Sequence, residues 1–128
     1  MFSKISVLVL IKEKNYMNIQ IFGKKKCFES QKAERYFKER KIKYQYVDIL
    51  RYGLSKGEFE SVKSSVGLKD MINTELKEYI TLNMQHFGTR SLAEETLFNN
   101  PKLYKTPVVR NGRKATIGFQ PEVWKTWE

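Results

Sequence analysis

The chain has 128 residues, enough for one domain with a modest core, and its 41% apolar and 30% charged composition argues against a disordered protein. A single cysteine excludes an intramolecular disulfide framework, and a single histidine beside it argues against an internal zinc site. The net charge of +10 invites a nucleic-acid interface, but the basic residues are interspersed with acidic ones and no helix-turn-helix pattern is present, so direct sequence-specific DNA binding is not expected.

The first sixteen residues differ in pattern from the rest of the chain. The apolar run at 5–11 is too short to span a bilayer, and no small-residue cleavage site follows it. Two alternatives stay open: a β-strand at 5–11, or a natural domain that begins at Met17, ahead of which Lys12 and Glu13 can be encoded by a ribosome-binding sequence. We expect residues 1–16 to be an extension, residues 17–128 to be the domain, and the compartment to be the reducing cytoplasm.

The pattern after the extension predicts a strand–helix–strand unit. A β-type run at 19–22 is followed by a helix at 28–41, in which Ala33 and Phe37 share one face. Residues 42–48 alternate and are rich in aromatic and β-branched side chains, which predicts a second strand. A unit of this size places the two strands parallel, with a right-handed connection.

The middle of the chain is predicted to be helical. Ser55 and Glu58 have the spacing of a capping box, so a helix begins there, and Gly67 is expected to end it. Residues 68–99 carry further helical segments, with a break at Gly88.

The last part of the chain predicts a hairpin and a short helix. Strands at 106–110 and 114–119 are joined by Asn111 and Gly112, a favoured hairpin turn. Pro121 suits the first turn of a helix that continues to Trp127. The whole order is β-α-β, a helical insert and β-β-α, which is an α/β fold with a four-stranded mixed sheet and flanking helices.

The only cysteine, Cys27, stands between the first strand and the first helix. The unpaired N–H groups and the dipole of a helix start favour the thiolate, and Lys24, Lys25 and Lys26 act in the same direction. Cys27 is therefore a candidate nucleophile; the alternative is a small buried apolar residue. Ser30 completes a Cys-x-x-Ser motif and is either a hydrogen-bond donor to the sulfur or a surface or packing residue of the helix.

The element order, with a cysteine at the first strand-to-helix turn, resembles a thioredoxin-like fold. Two motifs narrow the resemblance. The first is Cys27-x-x-Ser30 followed by Lys32 and Ala33. The second leads into the third strand and comprises Asn100, Pro101, Leu103, Lys105, Pro107, Val108, Val109, Gly112 and Gly118. Together they resemble the arsenate reductase (ArsC) and Spx family, and the likeness covers about residues 17–124.

The resemblance implies a fold feature and two rival functions. The Thr106-Pro107 bond would be cis, beside Cys27, and would present its backbone to an extended thiol substrate; an ordinary trans proline is the alternative. One implied function is a glutaredoxin-like thiol reductase with no bound cofactor, in which a small thiol such as glutathione or a partner-protein cysteine resolves a mixed disulfide on Cys27. The rival is a non-enzymatic Spx-like regulator that binds the RNA polymerase α subunit.

The sequence departs from the family at the residues that would hold an oxyanion. Arsenate reductases of this branch place an arginine directly before the strand-entry proline, where this chain has Thr106, and another in the insert, where residues 71–74 have none. Bidentate guanidinium pairing is what an oxyanion site needs, so arsenate reduction is not expected. Arg110 and Arg90 are the candidate substitute ligands, with a surface role as the alternative for each.

Overall fold

A computed structural model describes residues 17–82 and 90–128 of the chain. The expectations for residues 1–16 and for the break at Gly88 lie outside the described residues. The strands are β1 (Ile19–Gly23), β2 (Tyr44–Asp48), β3 (Val108–Asn111) and β4 (Lys114–Ile117). The helices are α1 (Phe28–Glu39), α2 (Ile49–Tyr52), α3 (Lys56–Val66), α4 (Leu68–Met71), α5 (Lys77–Thr81), α6 (Arg90–Asn99) and α7 (Pro121–Lys125), with a 3-10 turn at Pro101–Leu103. Within the described ranges, no helix has the length and apolar character needed to cross a membrane.

The four strands form one mixed sheet in the order β2-β1-β3-β4. β1 is parallel to β2 and antiparallel to β3, and β3 is antiparallel to β4. This is the predicted thioredoxin-like arrangement. In this register Phe22, near the end of β1, pairs with Val108, at the start of β3. The loop that leaves β1 and the segment that enters β3 therefore meet at one edge of the sheet.

Two apolar layers cover the two faces of the sheet, because successive side chains of a strand point to opposite faces. On one face Ile19 and Ile21 of β1 pack with Ala33 and Phe37 of α1 and with Trp124 of α7. The predicted helical stripe at 33 and 37 is fully buried there. On the other face Phe22 joins a larger cluster built mainly from the helical insert. The loop between β1 and α1 is thus supported from both layers.

Helix α3 begins and ends where the sequence predicts. The Ser55 hydroxyl accepts the Glu58 backbone N–H at 3.2 Å, and the Glu58 carboxylate accepts the Ser55 N–H at 2.8 Å, which completes a capping box. Gly67 ends the helix with φ at +86°, a conformation that favours glycine. The Ser61 and Ser65 hydroxyls donate to the Arg113 carbonyl at 3.1 Å each, and so fasten the helix to the β3–β4 hairpin.

Several boundaries and two short elements, α2 and the 3-10 turn, differ from the predictions; the first helix, the fourth strand and the last helix each end two residues early. The second strand begins at Tyr44 rather than at residue 42, after a turn in which Lys41 has φ at +57°. The third begins at Val108 because Pro107 has no N–H to donate to a neighbouring strand. The one-turn helix α2 was not predicted; it is capped by the Asp48 carboxylate, which accepts the Leu50 N–H at 3.1 Å.

Ser55→Ala removes the oxygen that satisfies the Glu58 N–H at the start of α3. We expect the free energy of unfolding to fall by about 1 kcal/mol, which is typical of a lost serine N-cap. Urea denaturation followed by circular dichroism measures this change. Ser64→Ala, at an exposed position within the same helix, is the matched control and should change stability by less than about 0.5 kcal/mol. Equal effects of the two substitutions would contradict a stabilising role for the cap.

Candidate functional site at Cys27

Cys27 is the N-cap residue of α1. Its backbone is extended, with φ at −92° and ψ at 113°, and its carbonyl accepts the first helical hydrogen bond from the Gln31 N–H at 3.2 Å. A turn closed by the Cys27 N–H on the Lys24 carbonyl, at 3.1 Å, brings the chain from β1 to this position. The backbone N–H groups of Glu29 and Ser30 are left free of the helix ladder, and they help to lower the pKa of the Cys27 thiol by stabilising the thiolate.

Thr106, from the segment before β3, also contacts the Cys27 sulfur. Its hydroxyl donates to Cys27 Sγ at 3.2 Å, and its carbonyl oxygen lies 3.6 Å from the same sulfur. The thiol form can donate to that carbonyl, whereas the thiolate form depends on donors such as the hydroxyl. The Thr106-Pro107 peptide bond is cis, as predicted.

Ser30 is fully buried and does not lie on the surface of α1. Burial contradicts the prediction of a surface residue and agrees with both remaining alternatives, a packing residue and a donor to the sulfur. Its oxygen accepts the Lys24 backbone N–H at 3.3 Å, so its own hydrogen is available to the Cys27 sulfur, to which it donates. The serine of the Cys-x-x-Ser motif is therefore an integral part of the site.

Gly23 and Tyr46 also belong to this site, although the sequence analysis did not identify them. A β-carbon on Gly23 would lie 2.6 Å from Tyr46 Oη and 2.8 Å from Ser30 Oγ, closer than side chains approach. The absence of a side chain at Gly23 thus lets Ser30 sit under Cys27. A glycine at the end of a strand pattern is the one sequence signal that could have indicated this close approach.

The pKa of the Cys27 thiol is lowered from its ordinary value. Burial alone raises it, because a charged sulfur loses solvation. The hydrogen bonds from the Ser30 and Thr106 hydroxyls, and those from the Ser30 and Glu29 N–H groups, outweigh burial by stabilising the thiolate. Local donors therefore account for the lowered pKa, and the helix start contributes through two of them.

The three lysines upstream of Cys27 are not equivalent. Lys24 is half-buried, and its ammonium donates to the carbonyls of Lys102 at 3.0 Å and Tyr104 at 3.1 Å. Burial lowers the pKa of Lys24, and the charge of Cys27 opposes this effect by raising it. Lys25 and Lys26 are exposed side chains. Of the predicted lysines, Lys24 is the one that the fold brings into contact with the surroundings of the site.

Cys27 and Thr106 lie on the wall of an open cleft of about 840 Å³. The stretch that the resemblance aligned with an arginine of arsenate reductases contributes Asn73 and Thr74 to the same wall. Four charged side chains line the cleft, and three of them are acidic: Glu29, Asp70, Glu75 and Lys105. The local balance of charge is therefore negative, although the chain as a whole is basic.

The structure does not bring Arg110 to Cys27. Arg110 pairs in register with Gln20, three residues before the end of β1. Because a strand rises about 3.3 Å per residue, Arg110 lies about 10 Å from the loop between β1 and α1. Its guanidinium donates to the Gln20 side chain and, at 2.9 Å, to the Gly112 carbonyl, and it lies 3.9 Å from the Glu58 carboxylate. Arg110 is thus occupied in a network on the α3 side and is not placed to hold an oxyanion at the sulfur.

The pH dependence of alkylation tests the lowered pKa of Cys27. We expect the rate to reach half its maximum at a pH below the value of about 8.5 for a free cysteine, because the thiolate is the reacting form. Ser30→Ala removes one donor to the thiolate and should move the midpoint upward. The same chain unfolded in guanidinium is the control and should titrate like a free thiol. A midpoint that Ser30→Ala leaves unchanged would contradict the donor role of Ser30.

Comparison with known proteins places these features in context. The model of the ArsC family matches residues 22–127. The global transcriptional regulator Spx 2 of Oceanobacillus iheyensis is 26% identical over 110 residues, which cover 83% of this chain and 80% of that protein. The uncharacterized protein YusI of Bacillus subtilis is 26% identical over 111 residues, 83% of this chain and 94% of YusI. A solved structure of a proposed arsenate reductase from Yersinia pestis superposes with a TM-score of 0.76 at 25% identity, over 85% of this chain and 99% of that one.

Proposed function

The chain belongs to the ArsC family, and from that premise we propose that it is a glutaredoxin-like thiol–disulfide reductase that uses Cys27 with an external thiol. The observation that carries this proposal is the environment of the sulfur: an N-cap position, hydroxyl donors from Ser30 and Thr106, a lowered pKa and an open cleft. These are the conditions under which a cysteine is a nucleophile rather than a packing residue. The reaction belongs in the cytoplasm, where thiols are kept reduced.

The reaction proceeds in two exchanges. The Cys27 thiolate attacks one sulfur of a substrate disulfide; that bond breaks, a bond from Cys27 to the attacked sulfur forms, and the other substrate sulfur leaves as a thiolate that takes a proton from solvent. A second thiol, for which we propose glutathione, then attacks the mixed disulfide. The bond between Cys27 and the substrate sulfur breaks, and Cys27 leaves as a thiolate. A new disulfide forms between glutathione and the substrate sulfur. The second thiol comes from outside because Cys27 is the only cysteine and the Ser30 hydroxyl cannot replace a thiol.

The hydroxyl donors serve both exchanges. By lowering the pKa of Cys27 they raise the fraction of thiolate available for the first attack. In the second exchange Cys27 is the leaving group, and a thiol of low pKa leaves faster. Thr106, which contacts the sulfur, and the adjoining Pro107 are proposed to present their backbone to an extended thiol substrate.

Arsenate is not the substrate that we propose. Arsenate is an oxyanion, and the cleft presents three carboxylates and one lysine to it. The position before Pro107, which is arginine in arsenate reductases of this branch, is Thr106, and Arg110 is held elsewhere by Gln20 and Gly112. No arginine is among the residues that line the cleft, so no guanidinium there could neutralise the charge of arsenate.

Glutathione disulfide is the direct probe of this proposal. We expect the reduced protein to form a mixed disulfide that mass spectrometry detects as one added glutathionyl group, and reduced glutathione should remove it. Cys27→Ser should abolish the adduct and leave the fold unchanged. With glutathione reductase and NADPH as the coupled readout, a glutathionylated protein should be turned over and arsenate should not. Absence of an adduct on the folded wild-type chain, or turnover of arsenate, would contradict the proposal.

The second candidate is a non-enzymatic regulator that binds RNA polymerase. It is favoured by the 26% identity to a global transcriptional regulator, and by the family resemblance, which implies the polymerase α subunit as the partner. In this case Cys27 would act as a sensor that forms mixed disulfides, or would have no role.

A pull-down with the C-terminal domain of the α subunit separates the two candidates. On the reductase proposal we expect no stoichiometric complex at micromolar concentration. A stoichiometric complex that Cys27→Ser retains would establish the regulator in its place. A genuine Spx protein serves as the positive control for the immobilised domain.

A further inference from the structure

We propose that Lys24 is a positioning residue that holds Ser30 and Thr106, two hydroxyl donors from separate segments of the chain, at the Cys27 sulfur. The consequence for catalysis rests on the proposed function, whereas the effect on the reactivity of the thiol does not. The sequence places three lysines near the cysteine without distinguishing them. Lys24 differs from the other two in its contacts. Its backbone N–H contacts Ser30, and its side chain binds the segment that carries Thr106.

The first contact fixes Ser30. The Lys24 backbone N–H donates to Ser30 Oγ at 3.3 Å and so orients the hydroxyl with its hydrogen free for the sulfur. Gly23, the preceding residue, leaves the space that Ser30 occupies. The chain at positions 23 and 24 therefore sets both the position and the direction of this donor.

The second contact fixes the segment that carries Thr106. The Lys24 ammonium donates to the carbonyls of Lys102 and Tyr104, four and two residues before Thr106. On its far side this segment is bound to the insert, because the Lys105 N–H donates to the Met71 carbonyl at 2.9 Å. Beyond Thr106, the Pro107 carbonyl accepts the Gly118 N–H at 2.8 Å, which holds the segment to β4. The Lys24 side chain thus adds a tie on the Cys27 side, next to the bond that the Thr106 hydroxyl itself makes to the sulfur.

The Lys24 ammonium also interacts electrostatically with Cys27. Burial lowers its pKa, while the Cys27 and Glu78 charges raise it and the Lys102 charge lowers it further. Glu78 also pairs with Lys102 at 3.4 Å, so the groups that face Lys24 are a thiol, one carboxylate and one ammonium. Lys25 and Lys26 are exposed, and solvent and salt screen the charge of such side chains.

Three single substitutions that each remove one positive charge test the proposal. Lys24→Met should lower the alkylation rate of Cys27 about threefold at a pH below the wild-type midpoint, where the rate follows the thiolate fraction. Lys25→Met and Lys26→Met should leave the rate unchanged. Lys24→Arg, which keeps the charge and the donors, should recover most of the rate. Equal effects from all three methionine variants, or none from Lys24→Met, would overturn the proposal.

A double substitution tells position from charge. Thr106→Val removes the donor that Lys24 holds through its side chain. If Lys24 acts through Thr106, adding Lys24→Met to Thr106→Val should change the rate little, since contacting residues are not additive. Full additivity would overturn a positioning role. The effect should also persist in about 1 M salt, where the screening length is about 3 Å; its loss there would make Lys24 a simple charge.

Two measurements keep these results interpretable. Thermal unfolding of each variant shows that it is folded, and Lys24→Gln replaces Lys24→Met, with the same expected loss of rate, if the methionine variant does not fold. Alkylation by a small reagent needs neither glutathione nor a disulfide substrate. A negative result for Lys24 is therefore distinct from failure of the reductase proposal, which would appear as the absence of a glutathionyl adduct.

Discussion

The antiparallel pairing of β1 with β3 is the constraint on which the site depends. It sets Phe22 opposite Val108, and so brings the loop after β1 against the segment before β3, across 79 residues of chain between Cys27 and Thr106. Neither segment alone stabilises a thiolate. The α1 side supplies two N–H groups and a serine, the β3 side supplies a threonine, and the sheet holds the two halves together.

How much of this could be predicted from the sequence depends on the range of the interaction. The strand–helix–strand unit, the capping box at Ser55 and the place of Cys27 before α1 follow from neighbouring residues, and each agrees with the structure. Ser30 lies three residues before Ala33 and seven before Phe37, so helical spacing alone places it on the buried stripe of α1. Its contact with the space at Gly23 and with Tyr46 could not be predicted in this way, because those residues belong to two strands of the sheet. The difference between Lys24 and Lys26 likewise depends on carbonyls 78 and 80 residues away from Lys24.

The charge of the cleft illustrates why membership of a family does not fix the reaction. The chain is basic overall, yet Glu29, Asp70 and Glu75 give the cleft beside Cys27 the opposite sign. Net charge describes solubility and non-specific binding, whereas a bound group responds to the few side chains around it. A regulator and a proposed arsenate reductase are both among the proteins that this chain resembles, so the shared sheet does not by itself identify the reaction.

The fully buried Ser30 also bears on how a site with one cysteine could become a site with two. Ser30→Cys exchanges one oxygen for sulfur and would create a vicinal dithiol, able to close its own bond and to release a substrate without help from a second molecule. The exchange would also cost packing energy, because sulfur is larger than oxygen and the Ser30 and Tyr46 oxygens already fill the space beside Gly23. The substitution changes a single residue, but the packing around position 30 opposes it. A chain that carried it would need compensating changes in the residues around the new sulfur.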